Sequence, residues 1–178
     1  MIKISIAFFI SLFSVLNAGV LQDAIDNAPA GSILKLPAGV YEGKITIDKP
    51  LSIIGKEPGV IIDGMGEGTV ISTEGSYITL KNLVIRNSGD RNDKIDAAIR
   101  MIKGKQCEIS DCDIKDTLFG IDMQMISNSI VSNNNITSKN LSLGLRGDGL
   151  RIWYSNDNII RKNSLIKSRD MVVWYSHG

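Results

Sequence analysis

The chain has 178 residues, 43% hydrophobic and 22% charged, with a formal net charge of +1. It is too apolar for a disordered chain and too short for several large domains, and its neutral balance offers no basic footprint for nucleic acid. The 28 isoleucines and 13 asparagines, eight of the latter between positions 128 and 163, favour short strands and tight turns and exclude a helical bundle.

The opening MIKISIAFFISLFSVLNA couples Lys3 to an apolar run over 4–16 and a small residue, Ala18. This predicts a secretory signal peptide over 1–18 and export of the mature part, 19–178, to the periplasm. The run is short for a bilayer span, which needs about 20 residues. The bulky Leu16 leaves an uncleaved anchor as the alternative, and no later segment is long and apolar enough to span a bilayer. Next, Leu21, Ala24, Ile25 and Ala28 fall at i, i+3, i+4 and i+7, the spacing of a short amphipathic helix. It would cap the first coil of the stack argued below. Pro29-Ala30-Gly31 ends it, SILKL is the first strand, Pro37-Ala38-Gly39 is a turn, and short strands fill 45–62.

From there, columns of apolar residues share one rhythm. Leu80, Ile109, Val131 and Ile160 are spaced 29, 22 and 29, as are Ile85, Ile114, Ile136 and Leu165. Val70, Ile99, Ile121, Leu150 and Val172 continue it with spacings of 29, 22, 29 and 22. The unit is 22 residues, and every second unit carries seven more. The segments CEISDCDI, SIVSNNNI and NIIRKNSLI hold strands of three to five residues and add a column Leu83, Cys112, Asn134, Asn163. Stacked asparagines hydrogen-bond along the stack and tolerate left-handed turns. The pattern predicts an all-β, right-handed parallel β-helix over 19–178. The chain stops at Gly178 within a coil, directly after MVVWY, as expected of the N-terminal part of a longer solenoid.

The candidates for chemistry are few. Cys107 and Cys112 lack zinc spacing and read as buried thiols, although export would permit a disulfide. Asp111, Asp113 and Asp116 read as solvated turn residues rather than the paired carboxylates of a glycosidase. The string Ile62-Asp63-Gly64-Met65-Gly66 resembles a turn of polysaccharide-degrading β-helix enzymes, where glycines serve the backbone. Arg100, Asp122 and Arg151 form an outward ladder at about 4.8 Å per step, explained by exposed charge pairing. Ala98, Gly120 and Gly149 flank it on one side, and Ile102, Gln124 and Trp153 on the other. Met101 and Met123 share the parity of the core. Met171, of opposite parity to Val172, is expected to face outward near His177, and a Met/His pair suits copper. The seven-residue extensions lie in 86–98 and 137–149, two coils apart on one edge. Leu141, Leu143 and Leu145 beside Asp90 and Arg91 read there as a partner-contact ledge with an apolar centre and a polar rim.

The stretch LGLRGDGLRIWYSNDNIIRKNSLIKSRDMVVWYS, with LQDAIDNAPAGSILKLPAGVY and DTLFGIDMQ, closely resembles the NosD family. That resemblance implies a periplasmic, non-enzymatic β-helix accessory factor for the maturation of nitrous oxide reductase. It further implies work with ABC transporter subunits and a copper-donor protein, and association with copper and sulfur delivery to the reductase's copper sites. Copper is implied by the family and is matched by no clear ligand motif in these residues. The alternative is a carbohydrate-active β-helix protein, a polysaccharide lyase, hydrolase or epimerase, and for that the outward face is thin in acids.

Overall fold

A computed structural model describes residues 15–178. The charged start and most of the apolar run assigned to the signal peptide, 1–14, lie outside the described residues. Strand Val15–Asn17 and the helix that begins at Ala18 straddle the expected cleavage point.

All strands pair in parallel, in three sheets that the chain visits in a fixed order. The first sheet holds Ser32–Leu36, Leu51–Gly55, Ile78–Lys81, Glu108–Ser110, Ile130–Ser132 and Ile159–Arg161. The second holds Val15–Asn17, Gly39–Glu42, Val60–Asp63, Val84–Arg86, Asp113–Thr117, Asn135–Ser138 and Ser164–Ile166. The third holds Ile45–Ile47, Ile71–Glu74, Ala97–Lys105, Phe119–Ser127, Leu150–Trp153 and Met171–Trp174. Each coil thus contributes one strand to each face of a three-sided solenoid. Two strands of the third sheet, Ala97–Lys105 and Phe119–Ser127, reach nine residues, longer than the three to five expected.

The apolar columns are the register itself. Leu80, Ile109, Val131 and Ile160 pair in sequence, as do Ile85, Ile114, Ile136 and Leu165. Most of these side chains are fully buried, each worth about 1.5–3 kcal/mol against exposure. The third column holds at Ile99, Ile121 and Leu150 but slips at both ends, to Ile71 instead of Val70 and to Met171 instead of Val172. The connecting loops there are one residue shorter than the repeat assumes.

At the corner between the first and second sheets the asparagines form a ladder. Cys112 N donates to Asn134 Oδ1 at 3.0 Å, and Asn134 N donates to Asn163 Oδ1 at 3.0 Å. The Asn134 amide donates on to Ile109 O and to Asn163 Oδ1. The left-handed backbone falls on the preceding residues, Asp111, Asn133 and Lys162, with φ between 55 and 56°. Hydrogen bonding and turn geometry are therefore divided between adjacent positions, not combined in one asparagine.

The capping helix spans Ala18–Asn27, three residues earlier than the apolar spacing begins, and buries Leu21 and Ile25. Gln22 satisfies the edge of the third sheet: its Oε1 accepts from Thr46 N at 2.8 Å and its Nε2 donates to Thr46 O. An end strand whose backbone is occupied in this way offers less to a passing chain. Among the described residues no helix is long and apolar enough to cross a membrane.

Candidate binding face on the third sheet

The outward side of the third sheet carries two rows in register. One runs Thr46, Ser72, Arg100, Asp122, Arg151, and the other Glu74, Ile102, Gln124, Trp153, Trp174. The residues expected as a third outward row do not face solvent. Ala98, Gly120 and Gly149 are buried, and a Cβ on Gly120 would meet Gly149 O at 2.1 Å.

The charged ladder differs from an exposed one. Asp122 has no exposed surface, and its partners Arg100 and Arg151 keep only 24% and 11% of their side-chain area. Arg100 Nε lies 3.2 Å from Asp122 Oδ2, which also accepts from Gln124 Nε2 at 2.8 Å. Arg151 Nε stands 3.9 Å from Oδ1, an oxygen with no hydrogen-bond partner. The Arg151 guanidinium lies over the rings of Phe119 and Trp153, and its Nε is also 3.8 Å from Asp148. A carboxylate enclosed in this way balances two arginines, and it is withdrawn from any ligand on the surface.

The corner between the second and third sheets carries the ledge. Lys139 Nζ in the second loop meets Asp90 Oδ1 in the first at 2.6 Å. Leu141 packs with Ile95 against the buried Ala97, Leu118 and Phe119. Leu141 is thus half-buried rather than exposed, because it roots its loop to the sheet. Leu143 and Leu145, on a 3-10 turn, are 62% and 58% exposed. Arg91 binds the buried Asp96 through Nε at 3.1 Å, and its backbone N donates to the same carboxylate. Burial pulls the Asp96 carboxyl upward, but these Arg91 hydrogen bonds prevail and hold it below the ordinary range.

A third loop, 64–70, extends the Asp-Gly turn read from the sequence and joins the same corner, with Gly66 and Gly68 both at positive φ. Asp63 ties it to the first loop. Asp63 Oδ1 accepts from Met65 N at 3.0 Å and from Asn87 Nδ2 at 2.7 Å, and Oδ2 accepts from Arg86 Nε at 2.6 Å. The Asp-Gly turn is accordingly a structural clamp.

The remaining candidates are dispersed. Met171 and His177 line one cavity of about 190 Å³ with Ile152, Ile160 and Val173. Met171 pairs with the interior Leu150, so it belongs to the inward column and is exposed only because Met171–Trp174 is the last strand of its sheet. The cavity offers two soft or borderline donors, and the rest of its lining is apolar apart from the hydroxyls of Ser155 and Ser176 and the amide of Asn158. Among the described residues no group of three or more His, Cys, Asp or Glu could hold a metal ion. Met101 and Met123 are buried in the core. Both cysteines are free and buried, and burial pushes the Cys112 thiol up to about 12. Asp111 and Asp113 engage Lys81 and Lys115 on the far corner, and Asp116 is exposed.

Residues 67–176 match the family described as "Right handed beta helix region". The chain belongs to the right-handed β-helix family. It is also similar to two proteins that carry the name "Probable ABC transporter binding protein NosD". The one from Pseudomonas aeruginosa is 29% identical over 76% of this chain and 32% of its own length. The one from Stutzerimonas stutzeri is 24% identical over 76% of this chain and 31% of its own. The NosD-like character read from the sequence holds, and the chain spans about a third of the length of these curated relatives. Among solved structures, an alginate lyase from Paenibacillus sp. str. FPU-7 superposes with a TM-score of 0.70 at 18% identity, covering 92% of this chain and 65% of that one. A pectin methylesterase solved with a hexasaccharide gives 0.50 at 21% identity over 79% and 61%. These likenesses concern the fold alone.

Proposed function

We propose that this chain is an exported, non-enzymatic accessory protein that works with an ABC transporter in the maturation of nitrous oxide reductase. In this reading it supports copper and sulfur delivery to the reductase's copper sites, receiving the metal from a periplasmic copper donor. The similarity to proteins named NosD, spread over 76% of the chain, carries the reading. The enclosure of Asp122 supports a role other than catalysis. A glycosidase needs an acid and a base that reach the scissile bond, and this carboxylate has no exposed surface.

The ledge is the surface through which the protein engages its partner. Leu143 and Leu145 form its exposed apolar tip, with Asp90 and Arg91 at the rim, and Leu141 anchors it. Replacing Leu143 and Leu145 by serine removes the tip and spares the anchor, and should cost about 3 kcal/mol of binding if both leucines are buried in the complex. The expected outcome in the host is an unchanged melting temperature of the variant and a reductase with lowered copper content. Wild-type copper loading in the double variant would show that the ledge is not the contact surface.

A further inference from the structure

At its N-terminal end the solenoid presents one strand edge from each sheet, and the chain covers these edges unequally. The third-sheet edge is closed by Gln22, which accepts from Thr46 N at 2.8 Å and donates to Thr46 O. On the second sheet the end strand Gly39–Glu42 is covered by Val15–Asn17. The two pair in parallel, Val15 with Val40, Leu16 with Tyr41 and Asn17 with Glu42. Among the described residues no side chain bonds to the backbone of Gly39–Glu42 as Gln22 does to Thr46.

That cover consists of leader residues. Cleavage after Ala18, as the sequence predicts, removes all of Val15–Asn17. Retention as an anchor displaces it as well. With Val15–Asn17 in the sheet, the apolar run left for the bilayer is 4–14, eleven residues. As a helix it reaches about 16 Å, roughly half of the ~30 Å hydrocarbon core. Sheet and bilayer compete for the same residues. An exported chain, cleaved or anchored, therefore leaves Gly39–Glu42 as a bare edge that invites pairing.

The side chains of this edge define what it accepts. Its inward residue, Tyr41, is buried in register with Ile62 and Ile85, and its hydroxyl donates to Pro37 O at 3.1 Å. Its outward residues, Val40 and Glu42, are half-buried. Asp63, the next acid in the Glu42 row, is already held by Arg86, whereas Glu42 has no ion pair among the described residues. Paired residues of a parallel strand face the same way, so an added strand sets one residue inward beside Tyr41 and two outward. Apolar, apolar, basic is the pattern that matches Val40, Tyr41 and Glu42 in turn.

We infer that in the exported protein this edge receives an extended segment of a partner protein, which enters parallel and carries that apolar, apolar, basic pattern. Main-chain hydrogen bonds supply the affinity, and the pocket beside Tyr41 and the carboxylate of Glu42 supply the specificity. This inference rests on the reading of the chain as exported. The contact lies at the capped end of the solenoid and is distinct from the ledge.

Hydrogen exchange read by mass spectrometry tests the inference on the unprocessed chain, made without export, and on the chain recovered from the periplasm. The amides of 39–42 should exchange at least tenfold faster in the exported chain, because an unpaired edge is unprotected. A short peptide carrying Val-Leu-Lys should restore their protection and bind roughly fivefold more tightly than one carrying Val-Leu-Asp. Its N-methylated form, which cannot donate to the ladder, should do neither. Glu42→Lys should reverse the preference between the two peptides. The peptide comparison needs only the exported chain. An exported chain whose 39–42 amides stay as protected as in the unprocessed one overturns the inference, and so does a peptide that binds equally well when N-methylated. Protection that rises with protein concentration alone would assign the edge to a second copy and overturn it too. A chain found only in the cytoplasm would overturn the export reading itself, and the inference with it.

Discussion

Asp63 closes the strand Val60–Asp63 and accepts three hydrogen bonds, from its own turn and from the first ledge loop. Burial raises its pKa, and the bonds from Met65, Asn87 and Arg86 more than offset this, leaving it below its ordinary value of 3.8. Asp96 is lowered in the same way. A carboxylate whose folded pKa is depressed contributes stability that is complete above its unfolded pKa and is lost as pH falls through the folded value. Urea midpoints should therefore hold steady between pH 6 and about pH 5 and fall on acidification below about pH 4. Asp63→Asn should lower the unfolding free energy at neutral pH by about 1–3 kcal/mol and flatten the acid limb. A variant with the wild-type acid limb would show that Asp63 does not carry it. The Asp-Gly turn was legible from its glycines, whereas the clamp was not, because its partners Arg86 and Asn87 lie 23 and 24 residues away.

At the scale of elements, the coil is set by the columns, and the columns were legible because parallel stacking forces equivalent positions to repeat at the length of a coil. The register failed at Val70 and Val172, where loop length alone decides which residue enters the sheet. The charges were misread for a related reason. Alternation along a strand placed Arg100, Asp122 and Arg151 outward, correctly, but their burial depends on loops, rings and neighbouring side chains that alternation does not describe. The asparagine ladder shows the reverse case, in which a local pattern sufficed. Asn134→Ala would leave the buried Cys112 N–H and Ile109 carbonyl without partners, at about 1–3 kcal/mol for each unsatisfied group. Thermal unfolding should reveal this as a marked loss of stability, and Asn163→Ala, nearer solvent, should cost less. Equal losses at the two positions would count against burial as the cause.

For the whole molecule, the solenoid is a three-sided prism whose corners differ. One holds the asparagine ladder, and another holds three loops that fuse into the ledge and overhang the third sheet. The fold alone does not fix the function, since a solved enzyme shares it at 18% identity. On the proposed reading the ledge is the surface that holds a partner. The most direct measurement is the copper content of nitrous oxide reductase purified from the host after deletion of this chain. The account predicts a copper-poor reductase, restored by the wild-type chain supplied in trans and not by the Leu143→Ser/Leu145→Ser variant. A fully copper-loaded reductase in the deletion strain would contradict it.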